Sequence, residues 1–303
     1  MIYLFFAVIT SASIALIFKF SEGRNMDRYV VTSFNYLAAS LVSLMIISVN
    51  GLQLPFISFS VSLDDFMAAI PPLESGTGPR SSLLWGLIVG VPAGLFFFFA
   101  FIYYQKGIRE NGAGLAGAFS KIGILIPMTI SILVWNEVPT VLQWSGIGIS
   151  LLSILIVNLP EQSLEAKKIR FSLLALFLFS GLAEFSNKVF QKYGLIEDKM
   201  AFLFFVFLTA FVVSGLFLLL RGKKPEPRAI MTGVLVGMPN LFCSYFLILA
   251  LDGIKASVVF PVYTATTIVV INLGGYFLFD ERLARRERFS VVLMVVALVL
   301  INM

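Results

Sequence analysis

Glu184 and Lys121 are ionisable residues set deep inside apolar runs, and they are the strongest chemical signal in the chain. A charged group at bilayer depth costs at least ~2.5–3.5 kcal/mol on insertion scales, so each needs a reason. From Phe171 to Ala183 every residue before Glu184 is apolar or small. Lys188 follows four residues on, one helical turn along the same face, with Asn187 three on. Two readings fit. Glu184 and Lys188 form an i,i+4 pair that neutralises both, with the lysine reaching toward its helix end. Alternatively, Glu184 binds substrate or exchanges a proton, its ionisation set by burial and by Lys188.

Lys121 lies beside Ser120 and six residues before Pro127, near the middle of its own run. An ammonium there has to face protein, water or an anionic group of a solute. A site with one charge of each sign suits an amino acid or another zwitterion, whereas Lys121 alone suits an anion. Tyr263 stands close to Pro261 and Asn240 follows Pro239, where a missing N–H leaves backbone carbonyls for a cavity. Hydrogen bonding to a neighbouring helix is the other reading for such neutral polar groups. The expected substrate-binding set is therefore Lys121, Glu184, Asn187, Lys188, Asn240 and Tyr263, with Glu184 as the proton-coupling group.

The elements that must position these residues are membrane spans. Hydrophobic residues make up 59% of the 303 positions, charged residues 13%, and the mean hydropathy is +0.95. A helix crosses ~30 Å of hydrocarbon with ~20 apolar residues. About ten such segments occur, at 2–20, 30–49, 82–104, 113–135, 140–158, 171–192, 200–220, 229–250, 256–279 and 286–303. The fold class is an all-α membrane protein. Its first helix is expected to be retained, because the apolar run reaches Phe20 with no small-residue cleavage site. The 50–81 stretch carries Pro55, Asp64, Asp65, Pro71 and Pro72 and is too polar to span, although Phe56 to Leu63 suits the membrane interface. Gly86, Gly90 and Gly94, four apart, form a face for close helix packing.

Several functions are excluded. The chain has no histidine, so neither a His-ligated metal nor His-based catalysis is available. The single cysteine, Cys243, cannot form an internal disulfide and reads as a buried thiol. No Walker A or kinase-like glycine loop is present, so ATP is not the direct energy source. No cofactor is implied. The +5 net charge sits in short loops and points to the lipid bilayer as partner, with no nucleic acid.

An internal repeat organises the spans. Leu155-Ile156-Val157-Asn158-Leu159 closes the fifth and Val299-Leu300-Ile301-Asn302-Met303 the tenth, 144 residues later. Asn136-Glu137 and Asp280-Glu281 share that offset, Gly107-Ile108 and Gly253-Ile254 match within two residues, and Ser11 to Lys19 aligns with Ser180 to Lys188. Residues 1–160 thus form a first five-helix repeat and 161–303 a second. An odd number of crossings makes the copies inverted, an arrangement typical of secondary transporters with a midplane site.

The repeat leaves the orientation to the loop charges. Arg24, Arg28, Lys106, Arg109, Lys167, Lys168, Arg170, Arg221, Lys223, Lys224, Arg228, Arg282, Arg285, Arg286 and Arg288 fall on one side. Only Arg80, Lys192, Lys199 and Lys255 fall on the other. The positive-inside rule puts the first set in the cytoplasm and both termini outside the plasma membrane.

Ile2-Tyr3-Leu4, followed after a helix by Lys19-Phe20-Ser21-Glu22-Gly23, resembles the first helix of small multidrug resistance transporters. The Ala256-Ser257-Val258-Val259-Phe260-Pro261 helix, ending in Phe279-Asp280-Glu281-Arg282-Leu283, resembles the final helices of EamA-type ten-helix transporters. Both families belong to the drug/metabolite transporter superfamily, and the resemblance covers the whole chain. It implies a carrier for a small molecule, working in the export direction common among EamA-type relatives. The small multidrug family's essential first-helix carboxylate is replaced here by Ser11, and its repeat counterpart is Ser180. That proton-exchange mechanism therefore does not carry over. EamA-type proteins are usually drawn with cytoplasmic termini, against the charge count of this chain.

The leading expectation is a secondary exporter of a small organic metabolite, amino acid-like, zwitterionic or anionic. It works by alternating access, and proton coupling through Glu184 and exchange of two metabolites are both open. Multidrug or cation efflux and metabolite uptake are the alternatives within transport; an intramembrane enzyme or a scaffold is the alternative outside it. Both halves of a pathway lie in one chain, so the functional unit is expected to be a monomer. The charge count makes a direct prediction. In a Cys243→Ser background, a cysteine replacing Lys255 reacts with a membrane-impermeant thiol reagent applied outside intact cells, and one replacing Lys168 does not. The reverse pattern contradicts the assigned orientation.

Overall fold

The computed structural model describes residues 1–22, 26–50, 79–111, 113–158, 171–221, 225–279 and 285–302. These residues fall almost entirely into helices. The order is α1 (Ile2–Glu22), α2 (Arg28–Val49), α3 (Pro79–Asn111), α4 (Ala113–Ile122), α5 (Leu125–Trp135), α6 (Val141–Asn158), α7 (Phe171–Tyr193), a 3-10 turn (Ile196–Asp198), α8 (Lys199–Leu220), α9 (Pro227–Gly253), α10 (Ala256–Phe279) and α11 (Arg285–Asn302). Six of the described spans are long and apolar enough to cross a membrane, and four more apolar helices are shorter. The interfacial segment expected at Phe56 to Leu63 lies outside the described residues.

Nine of the ten expected spans appear as single helices near the expected bounds. The fourth is different: it is broken into α4 and α5. α3 also runs on to Asn111 past its apolar stretch, ending in a polar turn where Lys106 and Glu110 lie 4.0 Å apart. Pro92, Pro239 and Pro261 sit inside α3, α9 and α10, and each helix continues through its proline.

Two compact units divide the chain: residues 1–98 with 186–252, and residues 99–185 with 253–303. In the first, α8 packs along α2, and every residue from Met200 to Phe207 is buried. Phe190 of α7 stacks on Phe202 at 4.5 Å, ring against ring. The Gly86, Gly90 and Gly94 face of α3 lies against α8 as the spacing predicts: a Cβ on Gly90 would stand 2.8 Å from Phe205 Cβ. Gly237 of α9 lets its backbone approach α2 in the same way, 2.6 Å from an added Cβ to Ala38 Cβ. In lipid, where apolar surface gains nothing by leaving the solvent, such close backbone contact and interhelical hydrogen bonds drive association.

In the second unit, α6 packs along α11. Gly146 allows the approach, since an added Cβ would meet Ile301 Cγ1 at 2.6 Å. The buried hydroxyls of Ser153 and Ser290 lie 2.6 Å apart, and each also donates to the other's carbonyl, at 2.8 and 3.1 Å. The link between α5 and α10 is equally specific. Asn136 ends α5 in the left-handed conformation (φ 54°), and the Glu137 carboxylate then accepts from the Ala256 N–H that begins α10. That contact satisfies an orphan donor and places a negative group at a helix N-terminus.

The glycine contacts predict an asymmetry between two like substitutions. Gly90→Ala forces its methyl into α8 and should cost roughly 1–3 kcal/mol, the usual range for overpacking, read as a lower melting temperature in detergent. Gly148 has nothing within 4 Å of an added Cβ, so Gly148→Ala should leave stability unchanged or slightly raised. Equal effects at the two positions would contradict the packing described.

Candidate functional site

The break in the fourth span follows from Gly123 and Pro127. In a continuous helix the Gly123 carbonyl would accept from the N–H four residues on, but residue 127 is proline and has none. The carbonyl instead accepts from Ile126 at 3.0 Å, and Ile124 donates to the Lys121 carbonyl at 3.4 Å, so the chain tightens to i,i+3 spacing before α5 resumes. Irregular backbone at membrane depth is tolerated only against protein or a water-filled cavity.

α7 covers one side of this break. A Cβ on Gly123 would lie 3.0 Å from both the Gly181 nitrogen and the Phe177 carbonyl oxygen, so the two backbones touch through paired glycines. One turn away the Ser120 and Ser180 hydroxyls meet at 3.5 Å. Lys121 follows Ser120 in the last turn of α4, where a cation complements the helix dipole. Glu184 stands four residues beyond Ser180 on α7. Both charged residues are half-buried. The sequence had assigned them to opposite repeats, and the α4–α7 contact collects them into one compact unit. Tyr263 belongs to the same unit on α10 and is 6% exposed. Ile122, at the break, packs against the buried cluster of Ile154, Ala265, Ile268 and Met294, two of which belong to that helix.

The remaining expected residues belong to the other unit. Asn187 and Lys188 are buried on the last turns of α7. The Lys188 ammonium donates to Gln191 Oε1 at 2.9 Å, and Gln191 Nε2 donates to Asp252 Oδ1 at 3.3 Å. Lys188 is thus held inside at 2% exposure rather than extended to its helix end. Asn240 Nδ2 donates to Asn35 Oδ1 at 3.1 Å and ties α9 to α2. Sequence reasoning missed Gln191, Asp252, Ser82 and Asp198. Asp198 reads as an ordinary loop acid between Glu197 and Lys199, yet it is buried at 5% exposure.

Discontinuous membrane helices are where secondary transporters place their solute sites. Residues 168–303 match the EamA-like transporter family. That segment is similar to the EamA-like transporters. An uncharacterized protein of Haemophilus influenzae is 21% identical over 295 residues, covering 95% of this chain and 93% of that one. A crystal structure superposes with a TM-score of 0.69 over 99% of this chain and 94% of its own, at 13% identity, and shares the fold. The second part of the chain is therefore similar to a transporter family, as its final helices suggested, and several helices are long and apolar enough to cross a membrane.

Proposed function

We propose that this protein is a secondary active exporter of a small zwitterionic or anionic organic metabolite, working by alternating access. The observation that carries the reading is the broken fourth span, with Lys121 at the break and Glu184 on the helix that touches it. Lys121 receives the carboxylate of the solute. Glu184 accepts its ammonium or, when the solute is absent, a proton, which couples export to the proton gradient. The architecture is two inverted repeats, residues 1–160 and 161–303. The pairing of α2 with α8 and of α6 with α11 supports this, because each pair joins the second or the fifth span of one repeat to its counterpart.

The test compares spent medium from cells overexpressing the intact chain, the Lys121→Met chain and the Glu184→Gln chain with an empty-vector control. Metabolite profiling should show amino acid-like compounds enriched by the intact protein alone. Removing a charged hydrogen-bond partner costs about 1.5–3 kcal/mol, so each variant should retain roughly a tenth of the enrichment or less. Identical profiles for the intact protein and the empty vector would overturn the export reading. Equal enrichment by the variants would demote both residues to structural ions.

A further inference from the structure

Asp198 and Trp85 are not used by the site at the break, and both carry a buried polar atom with no hydrogen-bond partner among the described residues: Asp198 Oδ2 and Trp85 Nε1. They belong to one corner of the first unit. Asp198 ends the 3-10 turn between α7 and α8, and its N–H donates to the Leu195 carbonyl at 2.9 Å. The Leu195 N–H donates to Ser82 Oγ at 2.8 Å, which seats that turn on the start of α3. The Ser82 hydroxyl also faces the Asp198 carboxylate. Trp85 lies three residues beyond Ser82, on the same face of α3, with its ring edge-on to Tyr193 at 6.0 Å.

We infer that this corner is a second solute station, where Asp198 takes the ammonium and the Trp85 indole N–H takes the carboxylate of an amino acid-like zwitterion. The inference rests on the solute class proposed above. An indole N–H can only donate and an ionised carboxylate can only accept, so the pair asks for a ligand that offers one acceptor and one donor. A buried carboxylate oxygen left unmet is costly, and a cationic donor is the partner that offsets most. Lys199, the next residue, attracts the Asp198 carboxylate electrostatically, but its Nζ donates to the Ile196 carbonyl at 2.9 Å and lies 4.9 Å from the centre of the Tyr245 ring. A metal ion is a poor fit, because the described residues contain no group of three or more His, Cys, Asp or Glu able to hold one.

The chain has three tryptophans, so Trp135→Phe with Trp144→Phe leaves Trp85 as the sole indole reporter. The full-length double variant in lipid nanodiscs is titrated with a mixture of the non-aromatic L-amino acids, and separately with the same mixture N-acetylated. A saturable change in Trp85 emission with the free mixture, and none with the acetylated one, is expected. Adding Asp198→Asn should raise the half-saturating concentration about tenfold or more. No response to the free mixture, or an equal response to the acetylated one, overturns the station without any further variant. An unchanged half-saturation in the Asp198→Asn protein also overturns it. Counterflow of the same mixture in proteoliposomes separates the two proposals. Counterflow without a Trp85 response removes the station alone, whereas absent counterflow removes the solute class on which it rests.

Discussion

Hydrocarbon offers the backbone no hydrogen bonds, and that constraint governs the whole structure. Every N–H and C=O at bilayer depth must be met within the protein. Ten apolar runs solve the problem by becoming helices, and the exception at Gly123 is therefore the informative place. Pro127 removes the donor that the Gly123 carbonyl needs, so the chain shifts register and two half-helices result. The break persists because α7 meets it through Gly181, whose missing side chain lets one backbone lie against the other. The same constraint explains why polar side chains appear in contacts. Asn35 meets Asn240, Ser153 meets Ser290, and Glu137 meets the start of α10.

Close approach of backbones does the work that hydrophobic burial does in water. α3 meets α8 along a glycine face, α9 meets α2 at Gly233 and Gly237, and α6 meets α11 at Gly146. These contacts fix helices to one another within each unit and leave large apolar residues such as Leu133, Val141, Leu219 and Phe277 on the outside, where lipid covers them. A rigid set of helices then presents a small number of charged groups at depth. Lys121, Glu184 and Lys188 can be carried there because each has a defined place on a packed helix rather than on a loop.

Much of the fold was legible from apolar run length alone. The sixth span, expected at 171–192, is Phe171–Tyr193, and the ninth, expected at 256–279, has those bounds. The resemblance of the last helices to EamA-type transporters is borne out by the match to residues 168–303. The break was less legible, because 113–135 is apolar throughout. Its signal was a proline four residues after a glycine, which removes one specific hydrogen bond. Depth was the harder quantity to read. Asp198 sits in a short polar connection, yet it is buried where that turn seats on Ser82 through the Leu195 N–H. One of the two readings of Lys188 had it reach toward its helix end, but Gln191, one turn further along, holds it inside.

The account stands on the α4–α5 break being part of the solute pathway, and Ser120 reports on it directly. A Ser120→Cys protein in the Cys243→Ser background, reconstituted in sealed vesicles, is exposed to a membrane-impermeant thiol reagent from either face. Lys255→Cys serves as the exposed control. Labelling of residue 120 through water, slowed by a saturating amino acid mixture, is the result the account predicts. If residue 120 stays unlabelled from both faces while the control reacts fully, the break is a structural irregularity sealed in protein, and the carrier site lies elsewhere.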